Sequence, residues 1–76
     1  MTKVQGLLAL ACNAMATCDF HLAETHLRKA IVIIAFGPDR SQMQEVFSRL
    51  IICMVKQNNA EEAQRLEFFA RRCVSA

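Results

Sequence analysis

Glycine and proline are scarce, with two Gly and one Pro in 76 residues, so the chain lacks the turn residues that a short disulfide-stapled domain normally carries. Cys12, Cys18, Cys53 and Cys73 are irregularly spaced, and three of the four fall in apolar helical stretches. They read as reduced thiols, which favours a cytoplasmic protein. A one-sided charge is also missing: nine basic residues face seven acidic ones along the chain, which argues against the clustered basic surface that nucleic-acid binding requires. No apolar run approaches the length of a membrane span, because the longest, Ala30 to Phe36, has seven residues. Met1-Thr2-Lys3 followed by Val4 to Ala11 and Cys12 has the outline of a lipoprotein signal. Gln5 interrupts its apolar part, however, and Ala9 stands where such a cleavage site prefers Leu, so the segment reads better as the start of a helix.

What the chain has in abundance is apolar side chains, at 54% of its residues against the roughly 45 to 50% usual for soluble domains. Seventy-six residues suffice for a single domain, here 1–76, with one core. A domain of that size buries only about 60% of the surface its unfolded chain exposes. Apolar surface left over would add stability if a second copy or a partner covered it.

Apolar spacing predicts four helices and no sheet, an all-α class. The first spans about Lys3 to Thr17 with Leu7, Leu10, Ala11 and Ala14 on one face. Cys18-Asp19 ends it, and Asp19 caps a second helix running to about Ala35 with Ala23, Leu27, Ala30, Ile31 and Ile34 aligned. The run Ala30 to Phe36 is apolar on every side, so it is either sandwiched between helices or open for a partner. Gly37-Pro38-Asp39 marks a loop, with Gly37 as a helix stop. A third helix follows over about Gln42 to Lys56, with Met43, Phe47, Leu50, Ile51 and Met54 on its apolar face. After Gln57-Asn58-Asn59, the pair Asn59 and Glu62 has capping-box spacing and opens a fourth helix to about Val74.

Sliding the chain on itself by 40 residues superimposes these patterns. Leu7, Leu10, Ala11 and Ala14 fall on Phe47, Leu50, Ile51 and Met54, while Ala23 and Ala30 fall on Ala63 and Ala70. Alanines seven apart let the second helix of each pair approach the first closely.

The segment Cys18-Asp19-Phe20 with Ala23, Leu27 and Ala30 resembles the turn and spaced alanines of the tetratricopeptide repeat family, and Leu10-Ala11 stands at its Leu-Gly pair. Gly37-Pro38-Asp39, with Leu50, Gln57 and Ala63 after it, is similar to the longer variant typified by kinesin light chain. A 40-residue period also fits HEAT and armadillo repeats, but the Asp-Phe turn and the Gly-Pro-Asp loop favour the tetratricopeptide reading. The resemblance implies two antiparallel hairpins, repeat 1 over about 3–36 and repeat 2 over about 42–75, stacked as a fragment of a right-handed superhelix. Asn58 and Ala60 replace the turn glycine and the aromatic residue in repeat 2, and Glu67 stands where repeat 1 has Leu27, so a last helix that packs less tightly or faces a partner differently is expected.

The resemblance also implies a protein-binding module with no enzymatic activity, metal or cofactor. Its concave side would carry Leu8, Cys12, Met15, Ile52 and Val55, edged by Arg49 and Lys56, a groove suited to an amphipathic peptide helix. Alternatively, these side chains cover one another within the hairpins. The family's Asn ladder is missing at Leu8, Ala9, Ser48 and Arg49, which argues against a clamp for a terminal carboxylate. His21, His26, Cys12 and Cys18 supply zinc-type ligands, but His21 and His26 diverge by about 140° around their helix, so both are expected on the solvent side. Two repeats fall below the roughly three that stacked architectures need, which points to a homodimer. Its interface is expected through Phe68, Phe69 and Cys73, or around Ile33 and Phe36. The functional expectation is a self-associating adaptor or scaffold; the alternative is a small chaperone-like escort holding an amphipathic helix of a client.

Overall fold

The computed structural model describes residues 3–37 and 40–75, with side chains up to Arg72. Pro38 and Asp39 of the expected loop and the side chain of Cys73 lie outside the described residues. Four helices follow in order, α1 (Lys3–Ala16), α2 (Phe20–Phe36), α3 (Met43–Lys56) and α4 (Ala60–Ser75), and no strand occurs among the described residues. The chain is all-α, as the apolar periodicity predicts. α1 packs on α2, α2 on α3 and α3 on α4, within a slab of 31 × 29 × 14 Å. α1 and α2 form hairpin 1, and α3 and α4 form hairpin 2.

Each hairpin is closed by the same corner. Helix α1 ends with Cys18 in the left-handed region at φ 62°. The Cys18 N–H donates to the Met15 carbonyl at 3.0 Å and the Asp19 N–H to the Ala14 carbonyl at 2.8 Å, the paired bonds of a Schellman ending. Asp19 then serves directly as the cap of α2, its carboxylate accepting from the Leu22 N–H at 3.2 Å. Forty residues on, Asn58 has φ 60°, its N–H reaches the Val55 carbonyl at 3.0 Å, and the Asn59 N–H reaches Met54 at 2.8 Å. The Asn59 side chain accepts from the Glu62 N–H at 3.4 Å. Only half of the expected capping box forms, because the Asn59 N–H that Glu62 would have bonded is already held by Met54. With two residues ending one helix and starting the next, the helices have no room to diverge and must run antiparallel.

The end of α2 is built differently. Gly37 has φ −105°, so it supplies no left-handed turn. Its lack of a side chain matters for space instead: a Cβ there would lie 3.0 Å from the Ile33 carbonyl oxygen.

The core joins all four helices: Val4, Leu8, Ala11 and Ala14 from α1, Ala23, Leu27, Ala30 and Ile34 from α2, and Ala63 and Leu66 from α4. α3 contributes the most, with Met43, Val46, Phe47, Leu50, Cys53 and Met54 all buried. The expected face of α1 needs correction. Leu10 is 50% exposed, whereas Leu50, its counterpart 40 residues later, is fully covered. Leu50 sits on an inner helix with neighbours on both sides, and Leu10 sits on an outer helix whose far side has none. Leu8 takes the place that Leu10 was expected to fill. Val46 and Cys53 are likewise core residues that the α3 pattern did not single out. Ala11, Ala14, Ala23 and Ala30 are buried on facing helices, and their small side chains permit the close approach of α1 and α2.

A left-handed backbone at a residue with a Cβ costs about 1 kcal/mol or more. Replacing Cys18 by Gly is therefore expected to raise the melting temperature by roughly 4–8 °C, about 1 kcal/mol in a domain of this size. Asn58→Gly should gain less, since Asn tolerates this region better. Thermal melts of the two variants check this, and an unchanged or lower midpoint for Cys18→Gly contradicts it.

Candidate interaction surfaces

The expected concave groove is only partly assembled. Leu8 is 7% exposed and belongs to the core, and Met15 is half-buried against it. Cys12 is half-buried, whereas Val55 and Lys56 are exposed near the end of α3. Of the candidate groove residues, the structure brings Arg49 and Ile52 together, in a shallow depression of 510 Å³ with Ser41, Gln44, Glu45 and Ser48. There Glu45 lies 3.4 Å from the Arg49 guanidinium, one helical turn away.

A more apolar surface lies across α2 and α4. Val32 of α2 and Phe69 of α4, 56% and 57% exposed, line one groove of 440 Å³ floored by Ile31, Phe47 and Leu66. Phe36, one turn beyond Val32 on α2, is 90% exposed. Of the residues expected for self-association, Phe69 lines this groove, and Phe36 lies beyond it on α2. Ile33 is exposed at 36%, and Phe68 lies under Arg72, whose guanidinium carbon is 5.5 Å from the ring centre. Val32 was absent from the sequence-based set, although the unbroken run Ala30 to Phe36 held the signal. With Ala30 and Ile34 turned inward, helical geometry leaves Val32 and Phe36 pointing out.

Charge rims this face in a fixed arrangement. The Arg28 Nε donates to Glu24 Oε2 at 2.7 Å, and its Nη2 lies 3.7 Å from Glu62 on α4. Arg65 approaches Glu62 from the other side at 3.6 Å. Glu24 also accepts from the Gln57 side chain at 3.0 Å, which ties α2 to the end of α3. Burial pushes the Glu24 carboxyl upward, but hydrogen bonds from Arg28 and Gln57 and the Arg28 and His21 charges outweigh it, so its pKa falls below the ordinary value. Burial raises the Cys53 thiol, and the Glu24 charge adds to that effect. Cys53 is consequently a neutral packing residue.

The two ends of the stack contrast with this face. Beyond α3 and α4 opens a groove of 830 Å³, lined by Gln44, Ser48, Ile51, Glu67, Ala70 and Arg71 with Ile52 at its edge. Their counterparts 40 residues earlier are Val4, Leu8, Ala11, Leu27, Ala30 and Ile31. All of these are buried except Ile31, which is half-buried, and they cluster with Met43, Val46, Leu50 and Cys53 of α3. Four aliphatic positions have become Gln44, Ser48, Glu67 and Arg71, and the last two pair at 2.9 Å. At the opposite end, α1 presents Lys3, Gly6, Leu10 and Asn13 where α3 has Met43, Val46, Leu50 and Cys53.

No three His, Cys, Asp or Glu side chains converge on a possible metal position among the described residues. His21 is exposed, but His26 is half-buried with its Nδ1 covered and unbonded, unlike the solvent-side placement expected for both. None of the described helices is long and apolar enough to cross a membrane. Comparison of the chain with family models, with curated proteins and with solved structures finds no match in any of the three.

Because the folded pKa of Glu24 is depressed, its contribution to stability is present above the ordinary carboxylate value and lost as pH falls through the folded one. Glu24→Gln should therefore melt below the parent at neutral pH, with the gap closing in acid. Melting profiles across that pH range test the assignment, and a gap independent of pH contradicts it.

Proposed function

We propose that the chain is a non-enzymatic protein-interaction module, an adaptor or scaffold of tetratricopeptide type, that self-associates as a homodimer through the α2/α4 face. The observation that carries this reading is the apolar groove shared by Val32 and Phe69, with Phe36 90% exposed on the same pair of helices. The exposed parts of Phe36 and Phe69 amount to roughly 300 Å² of apolar surface, given the 150–250 Å² that an aromatic side chain can bury. That is within the range of the largest apolar patch on a typical monomer and a large share of the ~800 Å² that each partner buries in a stable complex. Homodimer interfaces are also the more apolar class.

The repeat reading rests on the duplicated corners: the same left-handed residue, the same paired backbone bonds and the same side-chain cap recur at a 40-residue interval. The buried thiol of Cys53 suits a reducing, cytoplasmic setting. A second reading, an escort for a client's amphipathic helix, uses the same face. Its support is the groove itself, apolar along Val32, Leu66 and Phe69 and rimmed by the charges of Arg28, Glu62 and Arg65, which suits an amphipathic helix.

Phe69→Glu is expected to weaken self-association by at least about thirtyfold, the effect of losing a central aromatic anchor of ~2 kcal/mol. Light scattering over a range of concentrations, with helical content recorded on the same samples, reads the outcome. A parent chain that is monomeric throughout would overturn self-association and leave the client reading to be tested with amphipathic helical peptides.

A further inference from the structure

The junction between the two hairpins is a head-to-tail contact made once within the chain. Hairpin 1 offers Val4, Leu8, Leu27 and Ala30, and α3 answers with Met43, Val46, Leu50 and Cys53, all buried in a common cluster. Hairpin 2 offers the corresponding groove, open and 830 Å³ in volume, with Ile51 and Ala70 in its lining. The helix that corresponds to α3 by the 40-residue repeat is α1.

We infer that copies of the chain stack head to tail, with α1 of one copy seated in the α3/α4 groove of the next, in the manner by which α3 follows hairpin 1. Three observations converge on this contact. The groove has the position that a helix fills in hairpin 1. Leu10 is half-exposed amid Lys3, Gly6 and Asn13, at the register of Leu50, which is fully covered inside the chain. Finally, the two surfaces differ from the internal junction in a matched way. Where the internal junction is apolar on both sides, the outer one is polar on both: Lys3 and Asn13 on α1, against Gln44, Ser48 and the mutually paired Glu67 and Arg71 on hairpin 2. Amides and a hydroxyl can pair across it, and Leu10 supplies the apolar anchor for Ile51 and Ala70.

One anchor and a polar surround make a weak, reversible contact of the small-interface class. Because the two surfaces are unlike, the stacking is heterologous and open-ended, with each added copy leaving a free groove and a free α1. It does not rest on the α2/α4 dimer, whose face lies elsewhere, and the two can be separated experimentally.

The test is made in a Phe69→Glu background, which removes pairing through the α2/α4 face, with circular dichroism confirming that each variant is helical. The mass-average of this chain is expected to rise with concentration toward about 1 mM, the regime of weak interfaces. Adding Leu10→Arg or Ser48→Arg, both at exposed positions, should each hold the chain as a monomer over the same range. Mixing those two variants should restore one contact, an intact α1 on an intact groove, and give a two-chain species that grows no further. A monomer at every concentration in the parental background would overturn the inference and identify the polar residues as caps that end the stack. Continued growth of either arginine variant, or no pairing in the mixture, would also overturn it.

Discussion

The two-residue corner that closes each hairpin is the constraint from which the rest follows. At Cys18-Asp19 and again at Asn58-Asn59, one residue takes a left-handed backbone and the next caps a new helix. Both steps satisfy backbone groups that a helix end would otherwise leave without partners. A turn this short brings the paired helices together, and contact at that distance demands small residues. Ala11, Ala14, Ala23 and Ala30 meet the demand in hairpin 1. Hairpin 2 meets it less strictly, with Met54 in the register of Ala14 and Ala70 half-buried.

Stacking two such hairpins makes inner and outer helices of unequal status. α2 and α3 have neighbours on both sides, whereas α1 and α4 each have one free flank. α3 accordingly carries six buried core side chains, while α4 buries Ala63 and Leu66 among its described residues. The small fold has therefore spent its polar residues unevenly. Its ends carry Lys3, Asn13, Gln44, Ser48, Glu67 and Arg71, but the α2/α4 face keeps Val32, Phe36 and Phe69 uncovered. An arrangement that shields the ends more than this lateral face favours a partner approaching from the side, with end-to-end contact the weaker mode. The ion pairs joining Arg28 to Glu24 and Glu62 hold the rim of that face in place across α2 and α4.

Much of this was legible in the sequence because its signals were local. Helix limits fell within one or two residues, since Asp19, Asn59 and Gly37 act on the backbone beside them. What escaped depended on which helix lies inside. Leu10 and Leu50 occupy equivalent positions, and no local pattern tells that one faces solvent and the other the core. The same blindness put Leu8 in a groove and left Val46 and Cys53 out of the core. Gly37 was legible as a helix stop, but its missing side chain serves to leave room for the nearby Ile33 carbonyl rather than to form a left-handed turn. The surface followed suit: the runs around Phe36 and Phe69 stood out individually, but only the packing of α2 and α4 on α3 brings Val32 and Phe69 to one groove.

The central claim, that the α2/α4 face is where the chain meets its own copy, is tested most directly by amide hydrogen exchange at low and at high micromolar concentration. The account predicts that added protection at the higher concentration concentrates in the second half of α2, around Val32 and Phe36, and in α4 around Phe69. Exchange that is independent of concentration there, in a chain whose mass stays that of a monomer, would contradict it.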